Sequence, residues 1–358
     1  MKGKVLVISN MFPSDHHPSY GVFVARAVRA LEAKGVAVRV VSMNKVDTIL
    51  AKLLAYFRFW LCANLHIAFG RYDRIYIHQP LHSLICSMPA ALSSVRRMAI
   101  NFHGHDLLPV TWRGLVLQRI LRRFIVRVPI ILVPSNYFAK IYYERFVGLA
   151  SVAKASVYYS GGVEDCYFVS VQKTPRDRGR TALFLSRFVE GKGWRDFVSL
   201  AEHLVREYKD FRFVIAGEGS DLEVIRELIY VRGMAEYFTI LHADNPEYNA
   251  RLMRDAKYFV FPTKFSESLA LVNLEAMASG CIVLSSRFAA AEEYVLNGSN
   301  GFLIEADQFV SAATDVISSL EADPVLCTSI SRDATLTAER FREDRVSEDL
   351  LRLLDLDK

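Results

Sequence analysis

KVLVISNMFPSDHHPSYGVFVARAVRALEAKGVAVRVVS, residues 4–42, decides the fold. KVLVIS (4–9) is a short unbroken apolar run of the kind that forms a strand buried on both faces. After the loop NMFPSDHHPSYG, the segment VFVARAVRALEAKG repeats its apolar residues at helical spacing. Lys34 and Gly35 end that helix with a cation in the last turn and a residue free to turn left-handed. VAVRVVS (36–42) is the next strand. Strand, helix and strand in one short stretch make a βαβ unit, which requires a parallel sheet with helices outside it.

Working outward, RIYIH (74–78), MAINFH (98–103) and IILVPS (130–135) continue the strands, each ending in polar or small residues. In an open α/β sheet, ligands collect at those carboxyl ends. The rhythm weakens at VQKTPRDRGR (171–180), which is charged, contains Pro and Gly, and reads as a linker. It restarts with TALFLS (181–186), FRFVIAG (211–217), FTILHA (238–243), YFVFPT (258–263) and CIVLSS (281–286). The expected organisation is a Rossmann-like domain over 1–167, a linker over 168–180 and a second Rossmann-like domain over 181–330. A charged helix over 331–358 is expected to pack back toward the first domain. The fold class is α/β, two doubly wound domains with their strand ends facing across a cleft.

The 358-residue length suits two such domains. Five scattered cysteines, none in a C-x-x-C pair, point to a reducing compartment rather than a disulfide framework or zinc cluster. The most hydrophobic stretch, from Thr48, is interrupted by Lys52 and Arg58 and is too charged to span a bilayer, and the N-terminal apolar run is too brief for a signal peptide. The expected location is cytoplasmic, peripheral at the inner face of the membrane. Residues 1–165 carry 21 Lys/Arg against 8 Asp/Glu, and the remainder 23 against 31. A basic first half suits nucleic acid or a phospholipid surface, and it also fits two domains of unrelated composition. WRGLVLQRILRRFIVRV (112–128) sets five arginines among large apolar residues, a pattern that suits an anionic membrane surface or an ordinary solvated helix face. No nucleic-acid-binding module accompanies them, so nucleic acid is not expected.

ESLALVNLEAMASG (267–280) places Glu267 and Glu275 eight apart in an apolar, helix-favouring run. Eight helical residues rise about 12 Å, too far for a shared metal or a bridged acid–base pair. A helix starting near Ser268 would point its free N–H groups into the strand-end crevice and favour a phosphate there. Two carboxylates flanking that phosphate suit a ligand with hydroxyls on both sides, such as a nucleotide sugar. The spacing alone also fits a helix N-terminal charge and a solvated surface glutamate. SRFVEGKG (186–193) puts Arg187 and Lys192 in a strand-to-helix loop, where they suit phosphoryl groups or form a solvated basic turn. GEG (217–219) is a weak fragment of a dinucleotide fingerprint.

FPTKFSESLALVNLEAMASGCIVLSS (261–286) resembles the E-x(7)-E signature of retaining glycosyltransferases of family 4, which have the GT-B fold. KVLVISNMFP…GVFVARAVRALEAKG is similar to their acceptor-domain start, NFHGHD (101–106) to their His-Gly-x-Asp loop, and SRFVEGKG to their G-R-L-x-x-x-K-G. VYYSGGVEDCYF and EEYVLNGSNGFLI resemble their domain-linking turn and the segment after the donor loop. The resemblance implies a hexosyltransferase moving sugar from a nucleotide-diphosphate sugar to a glycan or lipid-linked acceptor, in surface polysaccharide or glycolipid assembly. By the same resemblance, Glu267 would hydrogen-bond the donor sugar, amides of Leu269, Ala270 and Leu271 would cradle the pyrophosphate, and Glu275 would accept from the ribose. Arg187 and Lys192 would neutralise the leaving diphosphate. His103 would contact the transferred sugar, Asp106 would fix its loop on the acceptor side, and Gly21 would let backbone approach a substrate.

Ser186, Ser268, Ala270, Ala289 and Ala290 stand where the family usually has glycine, and their Cβ atoms crowd a backbone-held pyrophosphate. No D-x-D pattern sits at a strand end, so no metal and no further cofactor is expected. A nucleotide-sugar epimerase of the same fold, or a non-catalytic nucleotide-sugar-binding subunit of a glycosylation complex, are the alternatives.

Overall fold

The computed structural model describes residues 3–357, apart from 15, 18–19, 47, 105, 147–153, 169–173, 176 and 244. The chain divides into two compact units, Met1–Gly162 with Glu343–Lys358, and Val163–Arg342. Residues 169–173 and 176 of the expected linker 168–180 lie outside the described residues, and the division into units falls ahead of it, between Gly162 and Val163.

In the first unit, β1 (Lys4–Ser9), α1 (Val22–Ala33) and β2 (Ala37–Ser42) form the βαβ unit, with Lys4 opposite Ala37 and Ser9 opposite Ser42 in parallel register. There follow α2 (Ile49–Phe69), β3 (Arg74–His78), α3 (Pro80–Ser87), α4 (Ala90–Ser94) and β4 (Met98–Asn101). Then come α5 (Trp112–Ile125), β5 (Ile130–Val133), α6 (Asn136–Phe146) and β6 (Ala155–Val157). The strands order as β2-β1-β3-β4-β5-β6, all parallel. Alternate residues of β1 feed two cores. Leu6 and Ile8 pack with α2, α3, α5 and α6, while Val5 and Val7 pack with α1 on the opposite face. Burial on both faces is why β1 reads as a continuous apolar run.

In the second unit the elements are β7 (Thr181–Leu185), α7 (Trp194–Glu207), β8 (Arg212–Ala216), α8 (Leu222–Val231), β9 (Phe238–Leu241), α9 (Pro246–Asp255) and β10 (Tyr258–Phe261). They continue with α10 (Leu271–Ala278), β11 (Ile282–Ser286), β12 (Phe302–Ile304), α11 (Phe309–Ala322) and α12 (Pro324–Ala338). The strand order is β12-β11-β10-β7-β8-β9, again all parallel. β7 thus has β8 on one side and β10 on the other, and the order reverses between β7 and β10. That reversal opens a crevice at the strand ends.

The single helix expected from Ser331 onward is two helices. α12 ends at Ala338 in the second unit, and the chain then enters α13 (Glu343–Leu353) in the first. Val346, Leu350 and Leu351 of α13 pack with Val24, Ala27 and Leu31 of α1, and Lys34 pairs with Glu348 at 3.1 Å. Among the described residues, no helix is long and apolar enough to cross a membrane. All five cysteines are free.

Candidate functional site

Because β7 and β10 pair directly, with Ala182 opposite Tyr258, the loops that follow them emerge side by side. The amide of Lys264 donates to the Gly191 carbonyl at 2.8 Å and ties the two loops. Lys192, on the first loop, donates from Nζ to Glu267 Oε1 on the second at 2.6 Å. Thr263 Oγ1 donates to the same carboxylate oxygen at 3.1 Å and itself accepts from the Phe265 amide at 3.2 Å. The Lys192 ammonium lies 6.0 Å and 5.4 Å from the ring centres of Phe261 and Phe265. Lys192 is buried and paired, so it is a fixed charge rather than a solvated basic turn. Arg187, on the same loop, is exposed, and its side chain has no partner among the described residues. The segment from Glu218 to Asp221 supports this loop through backbone bonds, Phe188 N–H to Glu218 O at 2.7 Å and Asp221 N–H to Phe188 O at 3.0 Å.

The helix expected from Ser268 starts later, at Leu271. Ala270, its N-cap, sits in the left-handed region at φ 57°, ψ 64°, and breaks the helical path. Glu267 is therefore on an extended loop, not on the helix. Leu269, Ala270 and Leu271 donate no hydrogen bond from their amides to any described residue, which leaves a cluster of donors at a helix start. The loop is braced from behind. Tyr294 donates its hydroxyl to Leu269 O at 2.8 Å, and Asn273 Nδ2 donates to Ser285 Oγ at 3.0 Å and to the Tyr294 hydroxyl at 3.3 Å. The sequence reading missed Thr263, Asn273 and Tyr294. Asn273 had a signal, the single amide inside an apolar helix. Glu275 lies within α10 and is 8% exposed, which excludes a solvated surface glutamate.

An alanine in the left-handed region costs about 1–2 kcal/mol, and a glycine gives back part of that through the unfolded chain. Ala270→Gly is accordingly expected to stabilise the second unit by about 0.5–1 kcal/mol in chemical denaturation. A destabilised variant would mean that the alanine methyl packs usefully there.

In the first unit, parallel pairing of β3 with β4 sets His78 opposite Asn101 and brings His78 Nδ1 within 3.0 Å of His103 Nε2. Phe23 of α1 packs on the His103 ring at 4.1 Å between centres. Asp106 folds the intervening loop around its carboxylate. Oδ1 accepts from the amides of His103, Gly104 and Leu107 at 3.0, 3.0 and 3.1 Å. Gln118 Nε2 donates to the carbonyls of Asp106 and Leu107, both at 3.1 Å. Gly21 caps α1 at φ 80°, its α-carbon side packed on the backbone of Met11.

Burial holds both histidines neutral. His103 is pushed down to about 3, and His78 well below 6.5 by burial and then by His103. Burial pushes Asp106 the other way, up to about 7, against the pull of its backbone donors. The signs oppose. A histidine lowered from 6.5 costs stability as pH falls below 6.5, because only the unfolded chain takes up the proton. An aspartate raised from 3.8 to about 7 gains stability as pH falls through that window, because the folded chain holds the proton. Asp106→Asn removes the second effect. Its stability, measured by urea denaturation between pH 4 and 6.5, should fall more steeply on acidification than the parent's by about 1.4 kcal/mol per pH unit. Parallel curves would contradict a buried, protonatable Asp106.

Among the described residues, no three His, Cys, Asp or Glu side chains gather into a metal-binding cluster. Residues 169–337, the unit that holds the Lys192–Glu267 pair, match the family model described as Glycosyl transferases group 1. A phosphatidyl-myo-inositol mannosyltransferase of Mycolicibacterium smegmatis is 26% identical over 293 residues, 81% of this chain and 72% of that protein. A GDP-mannose-dependent alpha-(1-6)-phosphatidylinositol monomannoside mannosyltransferase of the same organism is 28% identical over 250 residues, 66% of this chain and 63% of that one. Among solved structures, Anabaena HepE in complex with UDP and glucose superposes with a TM-score of 0.74 at 18% identity, over 99% of both chains. The lipopolysaccharide outer core galactosyltransferase WaaB in its apo form superposes with a TM-score of 0.71 at 16% identity, over 98% of this chain and 99% of that one. At these identities the structural likeness fixes the fold.

Proposed function

We infer that this chain is a glycosyltransferase of the GT-B fold, moving a sugar from a nucleotide-diphosphate sugar to a lipid-linked or glycan acceptor, with retention and without a bound metal. The observation that carries the reading is the β7/β10 crevice. It brings together a buried cation, Lys192, the Glu267 carboxylate that pairs with it and three undonated amides at the start of α10, while Glu275 lies further along that helix. Relatives named for phosphatidylinositol substrates support a lipid acceptor.

Breaking the anomeric C–O bond puts negative charge on the departing diphosphate, and positive groups oriented in advance stabilise it. The Leu269–Leu271 amides, Lys192 and the unpaired Arg187 supply those groups. Before the donor binds, Glu267 holds Lys192 in place. When it binds, the diphosphate competes for the ammonium and frees the carboxylate to accept from sugar hydroxyls. His103, neutral at physiological pH, is suited to hydrogen-bonding a sugar hydroxyl rather than to supplying charge. Attack on the face the diphosphate leaves, with a leaving-group oxygen taking the acceptor proton, needs no protein nucleophile. The arginines of α5, with exposed Trp112, Leu115, Val116 and Ile120 among them, are proposed to meet an anionic membrane surface.

The test begins with thermal shifts by nucleoside diphosphates, followed by turnover of the matching nucleotide sugars with a lipid acceptor, with and without a chelator. The product anomer, read by NMR, should match the donor's, and the chelator should leave the rate unchanged. An inverted product, or a metal-dependent rate, overturns those parts of the reading. Glu275→Ala should weaken every nucleoside diphosphate by about 10–100-fold, the loss of charged hydrogen bonds to ribose. Unchanged affinity in calorimetry would remove Glu275 from the nucleotide site.

A further inference from the structure

The side chain of His103 is oriented from a neighbouring strand rather than by its own loop. The hydrogen bonds that Asp106 accepts from described residues of that loop come from backbone amides, and none comes from the His103 ring. The ring packs against Phe23 and points Nε2 at His78 Nδ1, 3.0 Å away. The two imidazole planes lie within 13° of parallel, with centres 5.2 Å apart. A 3.0 Å contact between ring edges accounts for that separation only if the rings point at each other in nearly one plane. That is the geometry of an N–H···N bond and not of a stack.

Both rings are neutral, so the bond contains one proton, which belongs to one of them. The far side of His78 decides which. His78 is fully buried, and its Nε2 has no hydrogen-bond partner among the described residues. Asn101, opposite it in the sheet, donates Nδ2 to the Tyr76 hydroxyl at 2.7 Å instead. A proton on His78 Nε2 would be a buried donor with no acceptor, whereas a bare lone pair there is the less costly omission. His78 therefore keeps its proton on Nδ1 and donates it to His103 Nε2. His103 must then carry its own proton on Nδ1, which has no partner among the described residues and belongs to a half-buried ring.

We propose that His78 is a positioning residue that locks His103 as the tautomer protonated on Nδ1, so that His103 meets the transferred sugar only as a hydrogen-bond donor. The proposal rests on the reading that His103 contacts that sugar. An N–H in that place takes a hydroxyl, carbonyl or carboxylate oxygen and repels a protonated amine. A neutral imidazole free in water favours the other tautomer, so without His78 the ring would offer a lone pair there.

Long-range proton–nitrogen correlation NMR on the full chain, isotopically labelled at its histidine nitrogens, shows which ring nitrogens hold protons at neutral pH. His78 and His103 should both appear protonated on Nδ1, assigned by the signals that His78→Leu and His103→Asn remove. His78→Leu should move the His103 proton to Nε2 and lower kcat for sugar transfer by about 10–100-fold, the cost of a misdirected contact. His78→Asn places an amide Nδ2 where Nδ1 stood, so it should keep His103 protonated on Nδ1 and recover most of the rate. An asparagine variant no faster than the leucine one, with the His103 tautomer the same in both, would reduce His78 to packing and overturn the proposal. The parent spectrum decides the proton placement whichever variants fold. His103 protonated on Nε2, with a His78 Nε2 proton set against the Tyr76 ring 4.3 Å away, overturns the proposal outright. So does a His78→Leu chain that transfers sugar at the parent rate. The expected tautomers in a chain that turns over no nucleotide sugar would uphold the proton placement and refute the transferase reading.

Discussion

Sugar transfer by an Arg187→Ala/Lys192→Ala variant should fall by about two to four powers of ten. Each charged hydrogen bond to the departing diphosphate is worth about 1.5–3 kcal/mol, and two together shift the barrier by about 3–6 kcal/mol. Lys192 should carry the larger share. It is buried, pinned by Glu267 at 2.6 Å and flanked by two aromatic rings, so it pays little to be in position. Arg187 is exposed, so on the proposed reading the ligand would have to order it. Lys192→Ala alone also strands the Glu267 carboxylate without its cation, so part of its effect is structural. Adding Glu267→Gln to Lys192→Ala removes that stranded charge. Stability should recover in the double variant, while the rate at saturating donor stays low. A rate that recovers with stability would mean that Lys192 matters only as a partner for Glu267, and the diphosphate assignment would fail.

The strands were legible because parallel strands buried on both faces must be continuous apolar runs. Lys4–Ser9 and Arg74–His78 match their sequence segments from end to end. β6 and β12 escaped because three residues, ASV and FLI, carry no period to detect. The start of α10 was misplaced for a different reason. A left-handed N-cap is expected to be glycine, and here an alanine takes that conformation under tertiary constraint. The chemistry of the loops was legible residue by residue, but their pairings were not. Lys192 and Glu267 stand 75 positions apart and meet only because β7 lies beside β10. The same adjacency of β3 and β4 makes His78 the buried partner of His103. Strand order is a global outcome, and no local pattern encodes it.

That dependence on strand adjacency makes Gly193 a sensitive backbone position in the second unit. Gly193 caps α7 at φ 88°, and a Cβ there would sit 1.9 Å from the Pro262 carbonyl oxygen and 2.4 Å from its carbon. Neither atom belongs to a side chain that could swing away. Gly193→Ala must therefore bear the left-handed strain, about 1–2 kcal/mol, and also push the β10 loop aside. A total of about 3–5 kcal/mol is expected, which lowers Tm by about 10 °C for a unit of this size. Gly233→Ala separates the two contributions. Gly233 is also left-handed, at φ 65°, but a Cβ there meets nothing within 4 Å, so only strain of about 1 kcal/mol remains. The displaced segment begins at Pro262 and leads directly into Thr263 and Glu267. Gly193→Ala should for that reason weaken nucleotide-sugar binding at temperatures where it is still folded, and Gly233→Ala should not. Equal losses of Tm in the two variants would show that the contact between the β7 and β10 loops contributes nothing to stability. The crevice would then be a surface of independent loops, with no fixed geometry for holding a diphosphate.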